Sequence, residues 1–543
     1  MNTKSRVLAI GIDGPTNDLF EDWIEQGLLP NLKKLKEQSQ FGHVVHDKLH
    51  SNQNSWLPFL TGISIEKLDY WLSNYNPGNY HNHNNCLYNL HDYPPFYSLD
   101  DVKVVMFDLP VAISEQVNGV QVVGWASELN ETYSDSRPEE LISKIEDIYG
   151  TDPKQEGAIA FYNDREGRYG KSYRVPSAYD LKELNVFKEK IVQSTQTRRR
   201  ICEDLMNQYD WDLFITAFSE IHVAGHTLWH MSQEHPIQGL REQLDSDLLF
   251  EVYQSVDVEI GKLVESCQDD TTVVFYTIDS VVSDGLENPR SVFLPELLYR
   301  WSFPGKAALA PGVAGDEVPE PGLNFLEHWK HEVWKLRTSE GDAELQSPLE
   351  QEGLNDTFSW QPTNWYKPLW PKMKAFALPS VADGSIRLNV KGREQGGIIE
   401  IEHYDAVCDE ITQMLEQVID ARTGKKIVSN VLRVKQDPFE NDTKQSPADL
   451  IVLFREELPS DTVDSPTLGR IGPIPFFRPG GHQKQGSTIK NCFMIRTAES
   501  ENRLVSSHGQ LEDIPATIAA LLGKSLPDGA NGKSLLREPL INY

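Results

Sequence analysis

Runs of apolar residues, bounded by polar residues and by Gly or Pro, alternate along this chain with segments of helical periodicity. The apolar runs predict buried strands at 6–12, 102–108, 119–125, 213–218, 270–279 and 448–453. The periodic segments predict helices at about 18–26, 29–38, 136–149, 185–209 and 248–268. Strands that alternate with helices are typical of an α/β protein with a central sheet.

Two long segments lack a clear period. Residues 70–97 are rich in Asn, His, Tyr and Pro, which predicts a long loop. Residues 301–372 are rich in Trp, Pro and Glu, and we interpret them as an insertion that covers one side of a site. An insertion of this kind sets which substrates can enter.

Composition limits the partners. Among 543 residues, 81 are acidic and 51 are basic, which gives a formal net charge of −30. Such a surface repels phosphate backbones and anionic membranes, which argues against nucleic acid or a membrane as a general partner. A small anionic substrate would therefore need positive charge supplied by the site, and a bound metal is the simplest source.

Cysteine usage and hydropathy indicate the compartment but not the assembly. The five cysteines stand singly, no CxxC motif occurs, and an odd count argues against a disulfide framework. No stretch approaches the roughly 18 apolar residues of a membrane span. We therefore expect a cytoplasmic protein, whose oligomeric state the sequence leaves open.

Candidate chemistry lies directly after the strand predicted at 213–218. His222, His226 and His230 follow it at four-residue intervals, which stacks their side chains on one helical face where neighbouring imidazoles can share a cation. Open α/β sheets carry their chemistry at the carboxyl ends of strands. The alternative is that these histidines only pack or face solvent.

Other charged positions have two interpretations each. Asp13 ends the first predicted strand, where a carboxylate serves either as a ligand or catalytic group or as a helix N-cap. The run Arg198-Arg199-Arg200 lies in the helix predicted at 185–209, and we interpret it as a solvated face.

Three segments together resemble a known family. They are GIDG at 11–14, GLLPNLKKL at 27–35 and SNQNSWLPFLTG at 51–62, and a Gly-x-His at 480–482 accompanies them. The chain resembles the alkaline phosphatase superfamily, in particular the type I phosphodiesterase/nucleotide pyrophosphatase branch with its bacterial predicted phosphohydrolases. The resemblance implies an α/β fold with a central, mostly parallel sheet, helices on both faces and inserted cap segments.

The resemblance also implies a domain layout. It predicts a single catalytic domain over 1–543, with part of 70–200 and all of 301–372 as cap or insertion. Residues 1–60, 210–285 and 445–540 should form its sheet-centred part.

The family's metal-ligand positions are only partly kept. Asp13, His226 and His482 match it, whereas His222 stands where relatives carry Asp, and Asp279 where they carry His. The neighbouring position holds an isoleucine, which cannot bind metal. The three histidines would suit a catalytic Zn²⁺. Asp13 and Asp279 would suit a second divalent cation, Zn, Mn or Mg, or hold none.

The family's nucleophile position is also changed. The Thr or Ser that attacks in relatives corresponds here to Asn52, and a carboxamide is not a usual covalent nucleophile. Ser51 or Ser55 could replace it, water activated by the metal could attack directly, or the chemistry could be lost.

A later segment, 384–394, resembles a signature of the bacterial predicted phosphohydrolases. Its Arg387 and Arg393 could hold a phosphate or sulfate group bidentately, or they could form an internal ion pair with Glu394.

These features predict a metal-dependent hydrolase or transferase that acts on a phosphate ester, with phosphodiesterase-like chemistry. The alternatives are an enzyme directed at sulfate or phosphonate groups, and a catalytically silent relative that binds an anionic ligand or a partner.

Overall fold

The computed structural model describes most of the chain. The described residues are 6–47, 55–68, 73–84, 93–126, 134–155, 159–163, 169–172, 175–320, 329–338, 344–353, 361–380, 383–440, 446–483, 487–497 and 506–536.

Strands occur from the first described residues to the last third of the chain. In chain order they are β1 (Arg6–Asp13), β2 (Gln40–Asp47), β3 (Ser73–Asn76), β4 (His81–Asn84), β5 (Val104–Phe107), β6 (Gly119–Val123), β7 (Asp135–Arg137), β8 (Ile159–Asn163), β9 (Tyr169–Ser172), β10 (Leu213–Phe218), β11 (Thr271–Ile278), β12 (Val281–Ser283), β13 (Pro311–Gly312), β14 (Ala375–Leu378), β15 (Gly384–Leu388), β16 (Ile419–Asp420), β17 (Val428–Arg433), β18 (Leu450–Phe454), β19 (Val463–Ser465), β20 (Gly469–Ile471), β21 (Gly480–His482), β22 (Thr488–Arg496) and β23 (His508–Gln510).

Helices separate most of these strands. They are α1 (Asn17–Glu25), α2 (Pro30–Glu37), α3 (Trp56–Thr61), α4 (Leu141–Tyr149), α5 (Leu181–Gln208), α6 (Glu220–Leu228), α7 (Leu248–Glu265), α8 (Leu294–Ser302), α9 (Trp329–Lys335), α10 (Pro348–Gly353), α11 (Tyr404–Leu415) and α12 (Asp513–Leu521). None of the helices in the described residues combines the length and apolarity needed to cross a bilayer.

A nine-stranded sheet forms the centre, in the order β23-β2-β22-β11-β1-β10-β5-β6-β7. β11, β1, β10, β5 and β6 run parallel to one another, whereas β22 and β7 are antiparallel to their neighbours. The predicted α/β fold with a central, mostly parallel sheet is confirmed.

Helices cover both faces of this sheet. Side chains alternate across a strand, and on β1 Leu8, Ile10 and Ile12 pack into one apolar layer together with residues of α1, α2, α5 and α7. Val7 and Ala9 point the other way, into a layer that includes residues of α3 and α12. This arrangement explains why the parallel strands read as unbroken apolar runs.

A second hydrophobic core is formed mainly by the residues that lie, in sequence, between β12 and β21. It surrounds a four-stranded antiparallel sheet in the order β14-β15-β18-β17. The strand predicted at 448–453 belongs to this smaller sheet and not to the central one. An apolar run shows that a strand is buried, but it does not show which sheet supplies its neighbours.

Two local predictions need correction. Within 70–97, predicted as a loop, β3 and β4 pair as an antiparallel hairpin. The helix predicted from 136 begins at Leu141, because Ser136 lies in β7 and pairs with Val122. Ser136 still contributes to the helix start, since its Oγ accepts a hydrogen bond from the Ile142 N–H at 2.9 Å.

Candidate metal centre

The carboxyl ends of β1, β10 and β11 lie side by side. In the register of the sheet, Ile12 of β1 is opposite Phe218 of β10 and Thr277 of β11. The ends of these strands therefore lie at one edge of the sheet, where Asp13 is the last residue of β1 and Asp279 directly follows β11. Asp279 has a φ of +64°, a left-handed conformation that Asp tolerates better than most residues.

Helix α6 begins directly after β10 and carries two of the histidines. Its first residue, Glu220, is fully buried and accepts a hydrogen bond from Arg198 Nε of α5 at 2.8 Å. Arg198 Nη2 also contacts Asp108 Oδ2, just after β5, at 2.7 Å. These buried ion pairs fix the start of α6, so that His222 and His226 lie one turn apart over the sheet edge.

The third histidine arrives from the distant end of the chain. β21 pairs with β12, which places His482 opposite Val281. The strand approaches α6 so closely that a Cβ on Gly480 would lie 2.1 Å from the Gly225 carbonyl oxygen. Only glycine permits this approach.

The three imidazoles form a compact group. Their ring centroids are 4.8 Å apart for His222 and His226, 4.9 Å for His222 and His482, and 4.8 Å for His226 and His482. One nitrogen from each ring lies within 4.8 Å of the other two, an arrangement that could hold a metal ion. His222 and His226 are buried, while the side chain of His482 is 28% exposed.

Neighbouring groups orient the rings. His226 Nδ1 lies 2.7 Å from the Gly480 carbonyl oxygen, and His222 Nδ1 lies 3.0 Å from Asp13 Oδ2. Because both oxygens accept, each Nδ1 donates its proton, and the Nε2 lone pair is left to coordinate. His482 Nδ1 lies 3.6 Å from Asp279 Oδ2. Contacts of this kind orient histidines that ligate metals.

The electrostatics favour a neutral ligand at the centre of the group. Burial lowers the pKa of His226 well below its usual value, and the nearby His222, His482 and Arg478 lower it further. A neutral imidazole is the form that binds metal.

Other predicted site residues lie elsewhere or cannot be placed. Asn52 and Ser51 fall outside the described residues. Ser55 is completely buried, and its Oγ has no hydrogen-bond partner among the described residues. The identity of the nucleophile therefore stays a prediction.

The two predicted anion-binding arginines take part in ion pairs of the second core. Arg387 Nε donates to Glu394 at 2.7 Å, and Arg393 Nη1 donates to Asp449 at 2.7 Å. Of the two arrangements that the sequence left open, the internal ion pair is the one present. The guanidinium groups therefore bind carboxylates of this chain, and these N–H groups are not available to a phosphate.

His230, the third histidine of the four-residue series, leaves the group. Its Nε2 donates to the Ala178 carbonyl oxygen at 2.8 Å, and its ring faces His235, with 6.1 Å between the centroids. Regular α-helix ends at Leu228, so the four-residue spacing no longer places His230 on the same face.

Sequence reasoning missed two contributors, the Gly480 carbonyl and Arg478. A backbone acceptor leaves no signal in sequence. A cation four residues before the matched His482 was visible, but nothing in the spacing indicated that its charge would lower the pKa of His226.

Comparisons with known proteins give distant similarities. No family model matches the chain. (S)-Mandelate dehydrogenase from Pseudomonas putida is 24% identical over 197 residues, which are 35% of this chain and 48% of that enzyme, so the match spans about half of that relative.

Solved structures with a similar overall course include phosphonoacetate hydrolase from Sinorhizobium meliloti 1021 and human ectonucleotide pyrophosphatase/phosphodiesterase 5. The first has a TM-score of 0.40 and 12% identity, and the match covers 94% of each chain. The second has a TM-score of 0.44 and 10% identity over 98% of this chain and 100% of that chain. Because these values are low, the function proposed below rests on the residues of this chain alone.

Proposed function

We propose that this chain is a zinc-dependent hydrolase of phosphate esters, with phosphodiesters as the first substrate class to test. The observation that carries the proposal is the group of His222, His226 and His482, with one nitrogen of each ring within 4.8 Å of the others. Two of the rings come from one helix and the third from a strand more than 250 residues away.

The donor set fits zinc better than a harder cation. Three imidazole nitrogens suit Zn²⁺, whereas Mg²⁺ and Ca²⁺ prefer oxygen ligands. In the tetrahedral geometry of zinc, two Zn–N bonds of about 2.1 Å hold their nitrogens about 3.4 Å apart, so the rings would move together by about 1 Å. A second cation, Zn, Mn or Mg, would have to use Asp13 and Asp279, and Asp13 already accepts a hydrogen bond from His222.

Each part of the site has a proposed role. His222, His226 and His482 would hold the zinc, which would supply a Lewis acid for the substrate's phosphoryl oxygen and for water. Asp13 and the Gly480 carbonyl hold His222 and His226 in the tautomer that coordinates. Asp279, whose Oδ2 lies 3.6 Å from His482 Nδ1, would orient His482 once the rings close on the metal, or would accept a proton from attacking water.

The nucleophile separates two routes. On the route that we propose, water attacks phosphorus directly, and Asn52 donates a hydrogen bond from its amide to a non-bridging or leaving oxygen. On the other, Ser51 or Ser55 forms a covalent intermediate. One displacement inverts a chiral phosphate and two retain its configuration, so retention would overturn the direct route. Asn52→Ala should slow turnover without releasing zinc.

Metal content and turnover test the proposal together. The wild-type chain should bind about one equivalent of zinc and hydrolyse at least one member of a panel of aryl phosphate monoesters and diesters, sulfate esters and phosphonates. His226→Ala should lose both zinc and turnover. The matched control is His403→Ala, because His403 is exposed and lies in the second core region.

The contrary outcomes are distinct. Zinc retained by His226→Ala would remove the three-histidine site from the proposal. Zinc bound without turnover of any ester would leave a catalytically silent anion-binding protein. Turnover of only sulfate esters or phosphonates would change the assigned substrate class, and the proposed metal centre would still stand.

A further inference from the structure

Arg478 lies close in sequence to two groups of the metal centre, Gly480 and His482. It precedes by two residues Gly480, whose carbonyl oxygen accepts the hydrogen bond from His226. Its positive charge is also one of the causes that lower the pKa of His226. Arg478 is therefore a cation at the border of the metal centre.

Aromatic rings hold this guanidinium in place. Arg478 Cζ lies 5.2 Å from the centroid of the Phe477 ring, and Phe477 stacks on Trp329 with 5.0 Å between centroids and 21° between planes. Trp329 Nε1 donates to the Pro475 carbonyl oxygen at 2.7 Å, which fixes the far end of the stack. A guanidinium that packs its face on an aromatic ring keeps its N–H edge for hydrogen bonds.

The polar edge of Arg478 is not paired within the part of the chain that the structure describes. Its Nε is buried and without a hydrogen bond, and no carboxylate among the described residues pairs with it. The other arginines near buried positions differ, since Arg198, Arg387 and Arg393 each hold a carboxylate. Leaving a buried charged donor without a partner is costly, so the arrangement favours a partner beyond the described residues, such as a bound ligand.

Charge at the site identifies what that partner would be. Asp13 and Asp279 together balance one divalent cation on the histidines, so metal alone would leave the centre without net attraction for an anion. The overall charge of −30 would repel one. The positive charge of Arg478 would make the net charge of the centre positive, so that it attracts an anion.

We propose that Arg478 binds the phosphoryl oxygens of the substrate beside the three-histidine site, by hydrogen bonds from its free guanidinium edge. The inference rests on the proposed function for the nature of the anion. It assigns phosphate recognition to Arg478, two residues before β21, and not to Arg387 and Arg393. The role is substrate binding, and zinc affinity does not depend on it.

Inorganic phosphate tests this assignment without needing turnover. Isothermal titration of the zinc-loaded full chain with phosphate should give a dissociation constant that rises at least tenfold in Arg478→Gln. Arg478→Lys should show a smaller rise, because lysine keeps the charge but loses the bidentate geometry. Zinc content should equal that of the wild type in both variants.

Arg337→Gln is the matched control. Arg337 also stacks on an aromatic ring, with Cζ 4.1 Å from the Trp334 centroid, but it is exposed and does not act on His226. Phosphate affinity should be unchanged in this variant. A similar loss in both variants would reduce the effect to general surface charge and overturn the assignment.

The remaining outcomes separate this inference from the proposed function. Unchanged phosphate affinity in Arg478→Gln, or no phosphate binding by the wild type, overturns the role of Arg478 even when zinc binding and hydrolysis are present. If the wild type binds no zinc but its phosphate affinity still depends on Arg478, the inference stands and the proposed function fails.

Discussion

At the scale of single residues, burial determines what each charged side chain does. Arg198, Arg199 and Arg200 form one basic run, yet Arg198 is completely buried and paired with two carboxylates, whereas Arg200 is exposed. Successive helical residues point about 100° apart, so a run of three cannot share one environment. The predicted solvated face is therefore wrong for Arg198.

The buried pair His230 and His235 should make stability depend on pH. Burial lowers the pKa of His230 to about 4 and that of His235 well below its usual value. Below about pH 6.5 the unfolded chain takes up protons that the native histidines resist, so stability is full above that pH and falls towards pH 4. For His230 alone the loss reaches about 3 kcal/mol.

Urea unfolding at pH 7.5 and pH 5.0 measures this effect. The difference between the two free energies of unfolding should shrink in His230→Gln and again in the double variant with His235→Gln. The exposed His403 supplies the control, since His403→Gln should leave the difference as in the wild type. An equal difference in all variants would contradict the assignment to this pair.

The sequence predicted which residues lie together where the family resemblance supplied the metal-ligand positions. It named Asp13, His222, His226, Asp279 and His482, and the structure brings these five together. It could not supply the Gly480 carbonyl or the free edge of Arg478, because neither a backbone acceptor nor a missing partner is encoded in spacing. Their roles in metal binding and catalysis stay predictions.

At the scale of elements, the site depends on how closely α6 and β21 approach. Gly480→Ala should push β21 away, since the new Cβ would meet the Gly225 carbonyl oxygen at 2.1 Å. Zinc affinity should fall at least tenfold, because the His226–Gly480 hydrogen bond and the position of His482 depend on this contact. Gly239→Ala is the control, as nothing lies within 4 Å of its Cβ position. Competition titration with a zinc-binding dye measures both variants; equal affinities would exclude the packing argument.

The start of α6 provides a second test at this scale. Arg198→Met leaves Glu220 and Asp108 buried without their cation, and breaking a buried pair in this way costs about 3–5 kcal/mol. Lys144→Met breaks only an exposed pair with Glu140 and should cost less than about 1 kcal/mol. Chemical denaturation compares the two. A small loss in Arg198→Met would show that the network does not secure α6.

Strands and helices were predicted correctly where one pattern of apolar residues continued along the whole element. The central strands β1, β5, β6, β10 and β11 were all predicted from apolar runs, and errors at their ends are within about two residues. The strand β18 was also predicted from its apolar run, but the pattern could not show that it belongs to the smaller sheet. Partner choice depends on contacts between residues far apart in sequence, such as those of Asp449 with Arg393, and local pattern does not contain them.

At the scale of the whole molecule, the site joins segments from opposite parts of the chain. α6 follows the central strand β10, while β21 leaves the region of the second core immediately before the last long strand of the sheet, β22. The second core thus lies, in sequence, between the two halves of the metal centre. Trp329 of the segment 301–372 stacks on Phe477, the residue before Arg478, and the border of this segment with the site stays a prediction.

Zinc should therefore stabilise the fold as a whole, and not α6 alone. A ligand that binds only the native state at 100 times its dissociation constant adds about 2.7 kcal/mol. If the chain unfolds as one unit, the entropy of unfolding at this length converts that to a rise in Tm of about 2 °C. Differential scanning calorimetry with and without zinc should show the rise in the wild type and in His403→Ala. In His482→Ala the rise should disappear, because two histidines on one helix no longer tie that helix to β21. A full shift in His482→Ala would mean that zinc is held without the C-terminal segment, and the three-histidine centre would have to be abandoned.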